Sequence, residues 1–360
     1  MGEPLEDLIH LAGLETEVTV SSDSWGIRHI TASSSHDVFF AQGYFAAVDR
    51  LFQLDWWRRR GLGQIAEVLG AAYVDRDRAA RLFVYRGDMD AEWRSYGPGA
   101  RDAVTAFVAG INAHVDATRQ NPDLLPPEFA LLGHIPGCWD PQDVVRLRSH
   151  GIFGNLEQEV ARAETLHRFG SGMEDLRKIR EPEIEVRIPE GLDLGCISPE
   201  VLTTYRLAKG PVLPVSPQSE SLPEGSNNWV VAPSRTATGR PILANDPHRA
   251  MTSPALRHLV HLTCPEFDVI GAGEPALPGV AIGHNGTVAF GLTIFPVDQE
   301  DLYVYDLNPD DPDQYRYRDD WVSMTSINET VRVAGCDAEE VRLQFTVHGP
   351  VVHLDTRSLK

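Results

Sequence analysis

The chain has 360 residues, of which 42% are hydrophobic and 23% charged, a composition that folds and does not stay disordered. Its formal net charge of −20 argues against nucleic acid or an anionic membrane as partner, because phosphate recognition needs a concentrated positive surface. The length suits two ordinary domains or one large one.

No apolar run approaches the ~18–20 residues that cross a bilayer. Cys138, Cys196, Cys264 and Cys336 are far apart and form no C-x-x-C, so neither a zinc signature nor a dense disulfide framework is expected. The opening MGEPLED is acidic and lacks a basic segment followed by an apolar core. The expected location is therefore cytoplasmic for the chain as given, and periplasmic or secreted if an export segment has been trimmed.

Taken in order, residues 18–30 read as a strand, a turn at Asp23 to Gly26, and a second strand. Ser35 and Asp37 are expected to cap a long helix from about Val38 to Arg60, with Phe40, Tyr44, Ala47, Leu51 and Leu54 on its apolar face. A short helix at 65–69 should stop at Gly70. Helices are also expected at 100–118, at 142–151 behind the cap Asp140-Pro141, and at 158–169. Residues 125–141 read as loop. Residues 210–224, rich in Pro and Ser, read as an exposed linker. Beyond Ser226 the pattern turns to strands: 228–232, 241–245, 256–263, 267–271, 301–307, 321–325, 330–333 and 340–348. A hairpin is expected to turn on Asn285-Gly286.

Most catalytic signatures are absent. There is no G-x-S-x-G elbow, phosphate-binding loop or H-E-x-x-H, and Gly271-Ala-Gly273 lacks the rest of a dinucleotide fingerprint. His258 and His261, three apart, are a weak metal pair. Gly225-Ser226, where linker meets strand, offers different chemistry. If the bond before Ser226 breaks, its freed amine, which as an ordinary α-amino group titrates at about 7.7–8.0, can take the proton of its own hydroxyl directly or through one water. One residue then supplies nucleophile and base.

At this point the chain resembles the penicillin acylase family of N-terminal-nucleophile hydrolases. The resemblance rests on ordered stretches: DSWGIRHITA at 23–32, with Arg28 where proline is usual; DVFFAQGYFAAVDRLFQL at 37–54; the triplet Arg58, Arg59, Arg60 followed by GQIAEVLG at 63–70; and PEF at 127–129 with Trp139. They continue with SNNW at 226–229, NDPH at 245–248, LPG at 277–279, GHNG at 283–286 and VHGP at 347–350.

The resemblance implies an α+β fold, the αββα sandwich of these hydrolases, here incomplete and with a mainly helical N-terminal part. Residues 1–206 would form a helical region, 207–225 a spacer peptide, and 226–360 the start of the nucleophile domain. It implies self-cleavage of a precursor between Gly225 and Ser226, and hydrolysis of a linear N-acyl amide through an acyl-enzyme. Candidate substrates are β-lactam side-chain amides, N-acyl-homoserine lactones, and N-acyl amino acids or peptides. Ser226 would be nucleophile and base, His248 would orient it, and the backbone N–H of Ile294 would donate to the oxyanion; Asn245 reads as structural. Glu159, Asp298 and Asp301, with the backbone carbonyl of Glu300, would hold a structural Ca²⁺, and no organic cofactor is implied. The expected partners are the substrate, the two cleaved fragments as a heterodimer, and a further C-terminal half. That half carries the family's asparagine oxyanion donor, whose loss would cost on the order of 10²–10³ in rate. Two alternatives stand beside this reading. One is an inactive acylase homologue serving as a binding or assembly module, and the other an unrelated metal-dependent binding protein using the acidic cluster.

Overall fold

In a computed structural model of the chain, the structure describes residues 8–152, 155–178, 186–210, 212, 225–249, 252–294 and 297–359. Most of the expected spacer lies outside them. The helices in chain order are α1 Ser35–Leu62, α2 Ala66–Leu69, α3 Val74–Leu82, α4 Met89–Ser95, α5 Ala100–Gln120, α6 Pro127–Leu132, α7 Pro141–Ile152, α8 Leu156–Phe169, α9 Ser171–Arg177 and α10 Thr203–Lys209. Strands run from β1 Thr19–Ser22 and β2 Arg28–Thr31 to β3 Gly225–Val231, β4 Ile242–His248, β5 His258–Cys264, β6 Phe267–Gly273, β7 Ile282–His284 and β8 Ala289–Phe290. They continue as β9 Leu307–Asn308, β10 Asp311–Tyr317, β11 Asp320–Ser323, β12 Thr325–Val331, β13 Glu339–Thr346 and β14 Gly349–Pro350. The protein is α+β.

Two compact units interleave along the chain. The first takes residues 1–58, 86–145 and 214–296, and the second takes 59–85, 146–213 and 297–360. A division at 206 and 226 follows the expected cleavage point instead.

The first unit holds a six-stranded sheet in the order β1-β2-β5-β6-β7-β8, antiparallel except for the parallel β2–β5 pair, and a separate β3–β4 ladder. Asp23 closes the β1–β2 hairpin by accepting from the Trp25 and Ile27 N–H groups at 2.8 and 3.0 Å. The core joins Ile30 of β2, Val38 and Ala41 of α1, and Val260 and Leu262 of β5, all buried. Where α1 and α5 meet, Gly43 and Gly110 let the backbones touch. A Cβ on either would lie 1.9 Å from the carbonyl oxygen of Phe107 or Phe40 respectively. The second unit holds two three-stranded sheets, β11-β10-β9 and β12-β13-β14. Val331, Val333 and Val341 pack with Ala66 and Val74, while α8 and α10 share a cluster of Leu156, Val160, Val201 and Tyr205.

Several expectations change. Ser34, and neither Ser35 nor Asp37, caps α1, its Oγ accepting from the Asp37 N–H at 3.2 Å. The Asp37 carboxylate is spent elsewhere, taking the Glu15 and Thr16 N–H groups, both at 2.9 Å, and the Thr16 hydroxyl at 2.8 Å. The 125–141 loop contains α6, because Pro126-Pro127 starts a helix that Gly133 ends in the left-handed conformation at φ 68°. Residues 301–306 are not strand, and β10 was not anticipated. The Asn285-Gly286 hairpin forms with a four-residue loop between His284 and Ala289, in which Asn285 Oδ1 accepts from Thr287 and Val288. The start of the expected spacer, 207–209, is helical in α10, and β3 begins at Gly225, so Ser226 lies within a strand.

Candidate active site

Ser226 is the second residue of β3, opposite Pro247 of β4, and Gly225 is opposite His248. Proline has no N–H to give to a ladder, so β4 cannot donate a backbone hydrogen bond at the residue facing the serine. The Ser226 hydroxyl has another partner, accepting from the backbone N–H of Ile294 at 3.0 Å. Sixty-eight residues along the chain are folded back to make this contact.

Asn245 holds that returning segment. Its Oδ1 accepts from the Leu292 N–H at 3.1 Å, and its Nδ2 donates to the Leu292 carbonyl at 3.0 Å and the Asn227 carbonyl at 3.1 Å. Asn228 Nδ2 donates to the Gly291 carbonyl at 3.2 Å. A Cβ at Gly291 would come within 2.5 Å of Asn245 Cγ, so only glycine lets the segment lie against this side chain. Asn245, read as structural, is the clamp that sets where the Ile294 N–H points.

His248 sits beside the bond that would be cut. Its Nδ1 lies 3.3 Å from the position of a Cβ on Gly225, and its Nε2 meets Asp246 Oδ2 at 3.1 Å and Asn227 Nδ2 at 3.4 Å. The Asp246 carboxylate can only accept and Asn227 Nδ2 can only donate, so Nε2 can bond one of them; with the proton on Nε2 it donates to the nearer Asp246, and Asn227 Nδ2 is a neighbour without a hydrogen bond to the ring. In the neutral ring Nδ1 is then left with a lone pair on the Gly225 side. The structure thus brings Ser226, Ile294 and the flank of His248 together on the β3–β4 ladder. Asp246, Asn228 and Gly291 were not anticipated as contributors, although Asp246 stood inside the NDPH stretch as its unassigned position.

The amino-acid pattern of this region is shared. The family model for penicillin amidase matches residues 17–359. The chain belongs to the penicillin amidase family. Among curated relatives it is 34% identical to the "Penicillin acylase 2 proenzyme" of Pseudomonas sp. strain SE83, over 97% of this chain and 45% of that protein. It is 28% identical to the acyl-homoserine lactone acylase QuiP of Pseudomonas aeruginosa, over 97% of this chain and 42% of the relative. With the penicillin G acylase of Escherichia coli it shares 26%, over 94% of this chain and 46% of the relative. The chain therefore spans about half the length of the curated relatives it matches.

The acidic residues suggested for calcium in this penicillin amidase family chain all lie in the second unit. Glu159 of α8 pairs with Arg162 at 2.8 Å, and burial pushes its carboxyl above the usual range. Arg162 opposes that rise, while the charges of Asp298 and Asp301 add to it. Asn155 Nδ2 donates to Asp298 Oδ1 at 2.7 Å and to the Glu300 carbonyl at 2.9 Å, joining two of the suggested oxygens as a cation would. The Glu300 carboxylate turns away to accept from the Leu156 N–H at 2.8 Å and the Tyr205 hydroxyl at 3.2 Å, fixing the start of α8. These are hard oxygens under mutual repulsion, and they suit Ca²⁺ in chemistry. They are not drawn to coordinating distance of one another. Among the described residues, the only trio of acidic, histidine or cysteine side chains with ligand atoms within 4.8 Å of one another is Glu15, His36 and Asp37. There the Asp37 oxygens are already occupied by backbone and Thr16.

Proposed function

We propose that the chain carries the nucleophile of an amidohydrolase that acts on linear N-acyl amides after cutting itself between Gly225 and Ser226. The observation that carries this reading is the 3.0 Å hydrogen bond from the Ile294 N–H to Ser226 Oγ. A carbonyl carbon bonded to Oγ would hold its oxygen within reach of the same N–H, which is where charge develops in acyl transfer.

Self-cleavage would begin with attack of Oγ on the Gly225 carbonyl. The proton of Oγ passes to the Ser226 nitrogen as the peptide C–N bond breaks, leaving an ester, which water hydrolyses to the Gly225 carboxylate and a free Ser226 amine. In substrate turnover that amine takes the Oγ proton, Oγ adds to the amide carbonyl, the amine product leaves with the proton, and water releases the acid. The lone pair on His248 Nδ1, set by the donation of Nε2 to Asp246, suits a hydrogen bond from the freed amine and would orient it. The names of the relatives favour two substrate classes, β-lactam side-chain amides and N-acyl-homoserine lactones. The fold we propose is the αββα sandwich of N-terminal-nucleophile hydrolases, working as a heterodimer of cleaved fragments with a further C-terminal part. Glu159, Asp298, Asp301 and the Glu300 carbonyl would hold a structural Ca²⁺ that neutralises their repulsion.

Intact mass of the purified chain and of Ser226→Ala tests the reading. Two fragments meeting between Gly225 and Ser226, absent in the variant, are expected. A single uncut mass in both would sink self-processing by this chain.

A further inference from the structure

The second unit holds a cavity of about 500 Å³ that the Ser226 chemistry does not use. Its size falls within the roughly 300–1,000 Å³ of small-molecule pockets. Residues 299–305, which run beside it outside any ladder, and the segment from Thr346 through β14 to Asp355 line much of it.

Aromatic rings gather in that lining. The His348 imidazole stacks on Tyr303 at a centroid separation of 3.9 Å with the planes 12° apart, and it lies 5.9 Å from the Tyr305 ring. The Tyr305 hydroxyl meets His348 Nδ1, and the Tyr305 ring packs edge-on against Tyr315 at 4.7 Å, which braces the stack. Tyr303 is 52% exposed, and among the described residues no lysine or arginine lies over its ring.

The charge of the lining has one sign. Glu300, Asp301 and Asp355 line the cavity, and among the described residues no lysine or arginine does. Glu300 Oε2 accepts from the Leu156 N–H and the Tyr205 hydroxyl, whereas its buried Oε1 has no hydrogen-bond partner. Burial and the negative charge of Glu300 push the Tyr205 hydroxyl well above its usual range, which marks a place where water screens poorly. A carboxylate taken out of water with one oxygen unpaired is costly, and a nearby cation lowers that cost without having to touch it. An acidic ligand would meet only like charge.

We propose that this cavity binds an organic ammonium ion, with its charge over the Tyr303 ring and near Glu300 and its apolar body against Leu302 and Val351. Aromatic faces attract such cations through the ring quadrupole, and the acidic lining adds to the attraction. Asp301 is also among the oxygens suited to Ca²⁺, so an ammonium ion that merely exchanged for that metal would be displaced by it.

The test is titration of the full chain with benzylammonium chloride, followed by NMR saturation transfer, with excess Ca²⁺ present throughout. Benzyl alcohol serves as the uncharged probe of nearly the same shape. One benzylammonium should bind per chain, with benzyl alcohol at least about 10-fold weaker. Tyr303→Leu should weaken the ammonium about 2–5-fold, and Glu300→Gln about 10-fold or more, with little effect on the alcohol. Glu300 also fixes the start of α8, so if its variant folds poorly, the exposed Tyr303 and the comparison of the two probes decide the matter. No saturable binding by the parent, equal affinity for the two probes, or an ammonium affinity unchanged in Tyr303→Leu would overturn the proposal.

Discussion

Asn245 ties three backbone groups together in front of the serine, so its loss should loosen the donor more than the fold. In Asn245→Ala the amides of Leu292 and Ile294 should exchange hydrogen faster while the melting temperature moves little; unchanged exchange would mean the segment holds itself. Asp49 makes a second prediction. Burial works to raise its carboxyl, but His258 and Arg28, at 3.4 and 2.9 Å, outweigh burial and hold it below the usual carboxylate range. Its stabilising contribution is thus complete above the unfolded value of about 3.9 and fades as pH falls through the lower folded value. Asp49→Asn should melt well below the parent at neutral pH, and the gap should narrow in acid below that range; a gap independent of pH would point to lost packing. Asp49 was legible only as part of a charged helix back, because both its partners come from strands that the sequence does not set beside it.

At the level of elements, the crossing of α1 and α5 depends on two missing methyls. Gly110→Ala would force a Cβ to 1.9 Å from the Phe40 carbonyl oxygen, backbone that has no rotamer to yield. The expected cost is about 3 kcal/mol or more, at the upper end of overpacking, measurable by denaturant unfolding. Gly172→Ala in α9, where a Cβ meets nothing within 4 Å, should instead gain up to about 0.5–1 kcal/mol. An equal cost at both positions would disprove this account of the crossing. Periodicity made the long helices legible: α1 and α5 fall within a few residues of expectation, because their apolar faces repeat at helical spacing. The expected strand at 301–307 formed only at its last residue, Leu307 of β9, for a physical reason. Alternation in Asp301 to Leu307 records side chains turned toward and away from a packed surface, as an extended segment without a ladder also shows. The cores of β3 and β4 were visible as strands at 228–232 and 241–245, but their reach back to Gly225 and on to His248 was not, since glycine, asparagine and proline in those stretches are weak strand formers. Family likeness alone pointed to Ile294, whose contribution is a backbone N–H that any residue could supply.

In a chain of net charge −20, the carboxylates around Glu159 make the second unit sensitive to pH and to cations. The Glu159 carboxyl is raised in the fold, so the folded state holds that proton more tightly than the unfolded chain. The ionised group therefore subtracts stability above its raised value, and the loss disappears as pH falls below the unfolded value. Glu159→Gln should melt higher than the parent in calcium-free buffer at neutral pH, with the difference vanishing in acid. Calcium should raise the melting temperature of the parent and do so less in the variant; equal shifts in both would remove Glu159 from any calcium site. The ladder that carries Ser226 bears on how the molecule would answer its own cleavage. A break after Gly225 would give up one cross-strand pair and keep six, from Ser226–Pro247 to Val231–Ile242. Chain ends normally wander, and pinning one down costs entropy. This new end would be born already anchored, its amine held in place by pairings completed before the cut, so the ordering cost would be met by folding and not charged again at each turnover.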